Sequence, residues 1–143
     1  MKRMNSQLGY TLLQLLLALE FGTVVAAVGA PKVFDAYAFY QLKATANQVG
    51  FDIARARMEA IGQNKYVRIQ MQSSQYLRQV SNDGSTWTTE TTRTLPNNVS
   101  AYSNSEVRFD RRGFATVNNW MLLMGGGRYR WIFTSLIGRS TIY

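Results

Sequence analysis

Side chains able to do covalent chemistry are few in this sequence, and those present are scattered. The eight carboxylates are Glu20, Asp35, Asp52, Glu59, Asp83, Glu90, Glu106 and Asp110, and histidine and cysteine are absent. A general acid–base pair needs two such groups held across a cleft. Glu106 and Asp110 share the parity of one side of a strand, but no surrounding pattern announces a cleft. Without thiol or imidazole there is no disulfide, no Cys–His pair, no Ser-His-Asp triad and no histidine-ligated metal. Gly125-Gly126-Gly127 lacks the Gly-Lys-Ser/Thr ending of a phosphate loop and reads as a hairpin turn. The expectation is a protein without catalysis, metal or cofactor.

Binding groups are better represented. Sixteen Lys and Arg give a formal net charge of +8 and a pI near 10.1, a balance suited to nucleic acid or lipid headgroups. Arg108, Arg111, Arg112, Arg128, Arg130 and Arg139 crowd the last 36 residues, interleaved with Trp120, Tyr129 and Trp131. Guanidinium forks beside aromatic faces suit phosphate contact and base stacking. These six arginines with Tyr129 are therefore the candidate residues for binding DNA or a partner. A solvated basic face, or one docked on acidic neighbours, is the favoured explanation of the same cluster.

Two differently built segments must carry these groups. The start is polar and basic, with Lys2 and Arg3, whereas residues 10–34 are apolar apart from Thr11, Gln14, Glu20, Thr23 and Lys32. About 20 apolar residues span a bilayer as a helix, so the stretch is long enough, with Gln14 and Glu20 as costly passengers. Lys2 and Arg3 hold its start on the cytoplasmic side. Two readings are ordinary: a plain anchor, or a secretory signal cut after Val28-Gly29-Ala30 to release a soluble domain. The second would cut before Pro31 and leave Glu20 inside the apolar region. A third reading rests on one run of residues.

Gly9-Tyr10-Thr11-Leu12-Leu13-Gln14-Leu15-Leu16 resembles the type IV prepilin signature, a glycine followed by an aromatic and an aliphatic run. Such signals are cut after the glycine and the helix is kept. The resemblance implies Gly9 before the cut, Tyr10 as the new, methylated N-terminus, and prepilin peptidase and other pilin or pseudopilin subunits as partners. It also implies a single-pass inner-membrane protein with its C-terminal head in the periplasm. Pro31, twenty-one residues after Tyr10, falls where pilin-like helices commonly carry a kinking proline. The family's glutamate four residues beyond the new N-terminus is Gln14 here, which keeps an acceptor but brings no charge. Glu20 lies about 240° round a helix from Gln14 and does not take its place. Gln14, Glu20 and Pro31 are the expected assembly residues, and the missing charge fits a subunit used once or at a tip.

Past residue 34 the pattern becomes amphipathic. Phe39, Leu42, Ala46, Val49, Ile53, Ala56 and Ala60 recur at helical spacing, with Phe51, Ala54, Met58 and Ile61 as a second track; core packing is expected of both. Gln48, Asp52, Arg55 and Glu59 read as the wet side, with Arg55 and Glu59 spaced for an i,i+4 pair. The pattern predicts one helix over about 11–61, stopped by Gly62. Arg57 points into the apolar arc, toward a buried carboxylate or strand-end carbonyls. Strands are predicted over 66–71, 75–80, 86–95, 106–110, 120–124, 129–135 and 140–143, with Asn82-Asp83-Gly84-Ser85 as a turn and 97–105 as a mobile loop.

Ala56-Arg57-Met58-Glu59-Ala60-Ile61, followed by Tyr66-Val67-Arg68-Ile69, resembles the helix end and first strand of the GspH/FimT family of minor pseudopilins and minor pilins, with Met58 in place of the usual serine. The closing arginine- and aromatic-rich strands resemble the end of the same domain. Some FimT-like pilins bind DNA through a C-terminal Gly-Arg-x-Arg motif. Gly127-Arg128-Tyr129-Arg130 spells it one hairpin early, and Gly138-Arg139-Ser140-Thr141, nearer the family's position, lacks the second arginine.

The expected fold is α+β: a long N-terminal helix, transmembrane in its first half, packed on an antiparallel β-sheet head. Its divisions are a prepilin leader (1–9), a transmembrane and assembly helix (10–34), an amphipathic continuation (35–63) and a β-rich periplasmic head (64–143). The expected function is that of a structural minor pseudopilin or minor pilin in a type II secretion pseudopilus or type IV pilus; the alternative is a DNA-binding minor pilin for natural transformation. Protein taken from its membrane is predicted to begin at methylated Tyr10, read from intact mass and the N-terminal peptide. A start at Pro31 would indicate ordinary signal cleavage instead.

Overall fold

The computed structural model describes residues 6–143, with side chains from residue 11 onward. Lys2 and Arg3 lie outside the described residues, and Gly9 and Tyr10 are described in backbone alone. One helix, α1 (Ser6–Gln63), precedes eight strands: β1 (Tyr66–Met71), β2 (Gln75–Ser81), β3 (Thr88–Thr94), β4 (Val99–Ser103), β5 (Val107–Phe109), β6 (Asn119–Gly125), β7 (Arg128–Thr134) and β8 (Ser140–Ile142). The chain divides into two compact units, Met1–Tyr37 and Ala38–Tyr143.

In the first unit, helix side chains face outward all round. The twelve large apolar side chains from Leu12 to Phe34 are all exposed, and the most apolar 18-residue window has nothing buried. At roughly 1.5–3 kcal/mol per side chain, leaving them in water would cost on the order of 20 kcal/mol or more. That exceeds the about 5–15 kcal/mol by which a whole domain is stable. A bilayer or neighbouring helices must cover this surface. Pro31 lies within the helix.

In the second unit, Leu42, Ala46, Val49, Ile53, Ala56 and Ala60 enter the core. Two antiparallel sheets meet them, ordered β3-β2-β1-β5 and β4-β6-β7-β8, where the sequence predicts a single sheet. Val67 and Ile69 of β1, Val107 and Phe109 of β5, Met121 and Leu123 of β6 and Ile132 of β7 are fully or almost fully buried. Strand alternation places their neighbours outside.

Several expectations are corrected. The predicted loop over 97–105 contains β4, whose Val99 and Ala101 are buried while Ser100 and Tyr102 face out; serine and asparagine composition hid a period-two pattern. Phe51, Ala54, Met58 and Ile61 are exposed rather than core, because they project on the helix side away from the buried stripe. Asp52, expected on the wet side, is buried. Its Oδ2 accepts the Tyr76 hydroxyl at 2.6 Å and lies 3.3 Å from Arg93 Nε. Burial and then the bond to Asp52 push the Tyr76 phenol well above its usual pKa. Glu59 pairs with Arg78 of β2 rather than Arg55, since a strand guanidinium reaches it where the helix neighbour points to solvent. The helix stops at Asn64, not Gly62: Asn64 takes φ 54°, and Lys65 N–H donates to the Ala60 carbonyl at 3.1 Å. Those bonds make a Schellman-type end with asparagine in the left-handed position.

Ile53→Ala should cost about 2–5 kcal/mol, the range for an emptied core site. Met58→Ala should stay within about 0.5 kcal/mol, as expected of an exposed position. Denaturant unfolding of the two full-length variants in one detergent checks the contrast; equal losses would place Met58 in the core after all.

Candidate functional site

The candidate arginines fall into three places. The first is the outward face of the first sheet. Between buried Val67 and Ile69, Arg68 faces out, opposite Gln79 on β2 and Arg108 on β5. Like charges placed directly opposite repel, and here aromatic faces and acceptors separate them. Arg68 donates to Gln79 Oε1 at 2.6 Å and pairs with Glu106 at 2.7 Å. Its guanidinium lies 4.2 Å from the Trp87 ring centroid, and that of Arg108 lies 5.0 Å away. Tyr66 sits under Arg108 and Arg111 at 5.7 and 5.2 Å. Arg108 donates to the Gly84 carbonyl and Arg111 to that of Asn82. Cation–π contact and these carbonyls make both arginines braces for the β2–β3 loop.

That loop is built around Asp83. Its Oδ1 accepts the N–H groups of Ser85 and Thr86 at 2.9 and 2.8 Å and the Ser81 hydroxyl at 2.7 Å. The bonds from Thr86 N–H, then Ser85 N–H, then Ser81 hold its carboxyl well below the usual carboxylate range.

The second place is the β6–β7 turn. Ile132 and Thr134 are buried, so Arg128 and Arg130, of the same parity, also face the helix side. Their guanidinium carbons lie 4.7 and 5.7 Å from the ring centroid of Phe39 on α1. Gly126 makes this approach possible: its φ is +57°, and a Cβ there would stand 2.8 Å from the Ala38 Cβ. Among the described residues, neither arginine has a carboxylate within ion-pair distance. Tyr129 between them faces the other way and is exposed.

The third place holds Arg112 and Arg139, both exposed. Asp110 Oδ1 accepts the N–H groups of Arg112 and Phe114 at 2.9 and 2.8 Å, forming the turn. The Arg112 side chain reaches its carboxylate only at 3.9 Å and is 83% exposed, a pair worth little. Arg57 donates to the Gly113 carbonyl at 3.0 Å, a turn carbonyl rather than the buried carboxylate or strand-end carbonyl expected of it. A Cβ on Gly138, next to Arg139, would stand only 2.7 Å from Arg57 Nε. Eighteen residues of helix separate Phe39 from Arg57, about 27 Å at 1.5 Å each. Arg128 and Arg130 therefore do not share a patch with Arg139.

The carboxylates of the second unit are engaged in the same way. Glu106 holds Arg68, Asp110 caps its turn, and Asp52 lies under Tyr76 and Arg93. A cavity lined by Asp52, Arg55, Ile69, Tyr76, Arg78, Thr91 and Arg93 measures about 70 Å³; a more open cleft of about 700 Å³ runs along Phe51, Met58, Glu59, Arg78 and Glu90, and both its carboxylates pair with Arg78.

Sequence reasoning missed one surface. The outward residues of β4, β6 and β7 are Ser100, Tyr102, Trp120, Leu122, Met124, Tyr129, Trp131 and Phe133, none of them charged. Tyr102 and Trp120 lie 5.7 Å apart, and Trp120 and Trp131 5.3 Å. The signal was period-two alternation on β6 and β7, but Tyr102 joins the group only through the unpredicted β4.

Because the folded Asp83 pKa is depressed, its contribution is present above the unfolded value of about 3.9 and fades as pH falls through the folded value. Amides of Ser85 and Thr86 should stay protected from exchange at pH 4, and Asp83→Asn should weaken that protection at every pH. Loss of wild-type protection between pH 5 and 4 would contradict the assignment.

No family model and no curated protein matches this sequence. Solved structures do match by shape. The type IV minor pilin FimU of Pseudomonas aeruginosa superposes with a TM-score of 0.61 at 17% identity, over 73% of this chain and 89% of that one. The minor pseudopilin EpsH of the Vibrio cholerae type 2 secretion system gives 0.62 at 10% identity, over 72% and 96%. A second EpsH structure gives 0.59 at 11%, over 71% and 92%. At such identities the likeness is one of fold: the chain has the α+β fold of pilin-like proteins, as seen in GspH- and FimT-type minor subunits.

Proposed function

We propose that this chain is a structural minor pilin or minor pseudopilin, assembled through its N-terminal helix with other pilin-like subunits into a type II secretion pseudopilus or a type IV pilus. The observation that carries the reading is the outward apolar surface from Leu12 to Phe34, joined to a head with the pilin-like fold. Such a helix has two ways to leave water: a bilayer before assembly and neighbouring helices after it. The subunit waits as a single-pass inner-membrane protein with its head in the periplasm. Prepilin peptidase cuts after Gly9, and Tyr10 becomes the methylated N-terminus. Gln14, lacking the charge of the usual glutamate, gives a neighbour's N-terminal amine only a hydrogen bond. Low copy number or a tip position follows. Glu20, the one carboxylate between residues 11 and 34, meets its partner on another subunit, and Pro31 bends the helix.

The DNA-binding alternative draws less support. Arg108 and Arg111 donate to the chain's own loop carbonyls, and the remaining arginines stand in two separate places. A DNA-capturing surface would show steep salt dependence of affinity, lost in Arg128→Ala/Arg130→Ala.

Replacing residues 11–30 by an unrelated apolar helix of equal length should keep the protein in the membrane. Its co-purification with the other subunits should fall about tenfold or more. Undiminished co-purification would overturn the proposal. Gln14→Glu should raise recovery in the assembled fraction.

A further inference from the structure

We infer that Arg128 and Arg130 form a binding site for the anionic headgroup phosphates of membrane lipid, used while the subunit is anchored. The inference rests on the reading of residues 10–34 as a membrane anchor. Three observations carry it.

The two guanidiniums stack on one ring, Phe39, and among the described residues neither has a carboxylate partner. Cation–π contact with a shared ring holds both guanidiniums near one point without consuming their N–H donors, and a phosphate offers matching oxygens. Elsewhere in the head, Arg68, Arg78 and Arg93 hold carboxylates, and Arg57, Arg108 and Arg111 hold backbone carbonyls.

The turn is held against the helix by Gly126 on Ala38, which ties the pair to the start of the head. Only residues 35–38 separate Phe39 from Phe34, where the apolar stretch ends. Even a fully extended chain spans about 17 Å over those five steps. Whatever the orientation of the head, the arginines stay within reach of the leaflet in which the anchor ends.

The nearest head residues suit an interface. Tyr40 and Tyr129 are exposed, and Lys43 is a further exposed cation one helical turn from Phe39. Tyrosine and basic side chains are the residues that settle at headgroup depth. Nucleic acid offers the same phosphate chemistry but has no reason to meet a site tethered this close to the anchor.

The test uses the full chain in lipid nanodiscs of phosphatidylcholine alone or mixed with phosphatidylglycerol, with hydrogen exchange followed across residues 124–130. On anionic discs, exchange of that segment should slow about threefold or more, and the effect should vanish as salt is raised. It should vanish in Arg128→Gln/Arg130→Gln and persist in Arg128→Lys/Arg130→Lys. The wild-type salt titration decides the matter even if the glutamine variant is unstable. Equal exchange on both lipids, with the protein inserted in each, would overturn this inference and leave the anchor reading standing. Failure to insert into either disc would overturn both. Slowing by short duplex DNA on neutral discs, with none from phosphatidylglycerol, would assign the pair to nucleic acid instead.

Discussion

The structure depends on how one helix disposes of its apolar surface. Between residues 11 and 34 that surface runs all round, so no single packed partner on one side can cover it. Between residues 42 and 60 it narrows to a stripe that a pair of β-sheets can cover. The change of pattern separates a segment that needs a membrane or a bundle from one that nucleates a soluble core. Without the helical stripe, the two sheets would lack an inner layer. Small Ala46, Ala56 and Ala60 of the helix are buried in the same core as Phe109 and Met121 of the strands.

Arginine is common in this head, yet most of its guanidiniums have internal work. Arg68, Arg108 and Arg111 share two aromatic rings, and Arg108 and Arg111 bind loop carbonyls, fixing a turn already organised by Asp83. Arg78 and Arg93 neutralise carboxylates where the helix meets the first sheet. Net charge alone is therefore a poor guide to where an anion would bind. More informative are arginines with neither an acid nor a carbonyl partner among the described residues, such as Arg128 and Arg130 on Phe39 and Arg139 on the last turn. The uncharged aromatic face of the second sheet is a separate surface, carrying none of these cations.

Shape is retained across chains only 10–17% identical, because the fold asks little of individual residues. It needs a helix stripe, period-two strands and turns that accept left-handed backbone, which many sequences satisfy. Surface chemistry is under no such constraint, so the likeness to FimU and EpsH speaks for architecture and leaves binding to the residues present.

The sequence by itself determined the long helix, most strands, the apolar anchor segment and the core stripe from Leu42 to Ala60, since these follow from periodicity along one chain. It also exposed the processing-like run around Gly9 and Tyr10 and the spelling of Arg128 and Arg130. Tertiary structure alone decided which partner each charge takes. Glu59 chose Arg78 over Arg55, and Asp52 went inside, because partners distant in sequence become closer than helix neighbours once strands pair. Strand β4 was hidden for the same reason: Val99 and Ala101 are too weak a pattern to declare a strand until β6 supplies its hydrogen bonds. And the arginines divided into three places because strand parity and some 27 Å of helix, invisible in a list of residues, set which face and which end each one occupies.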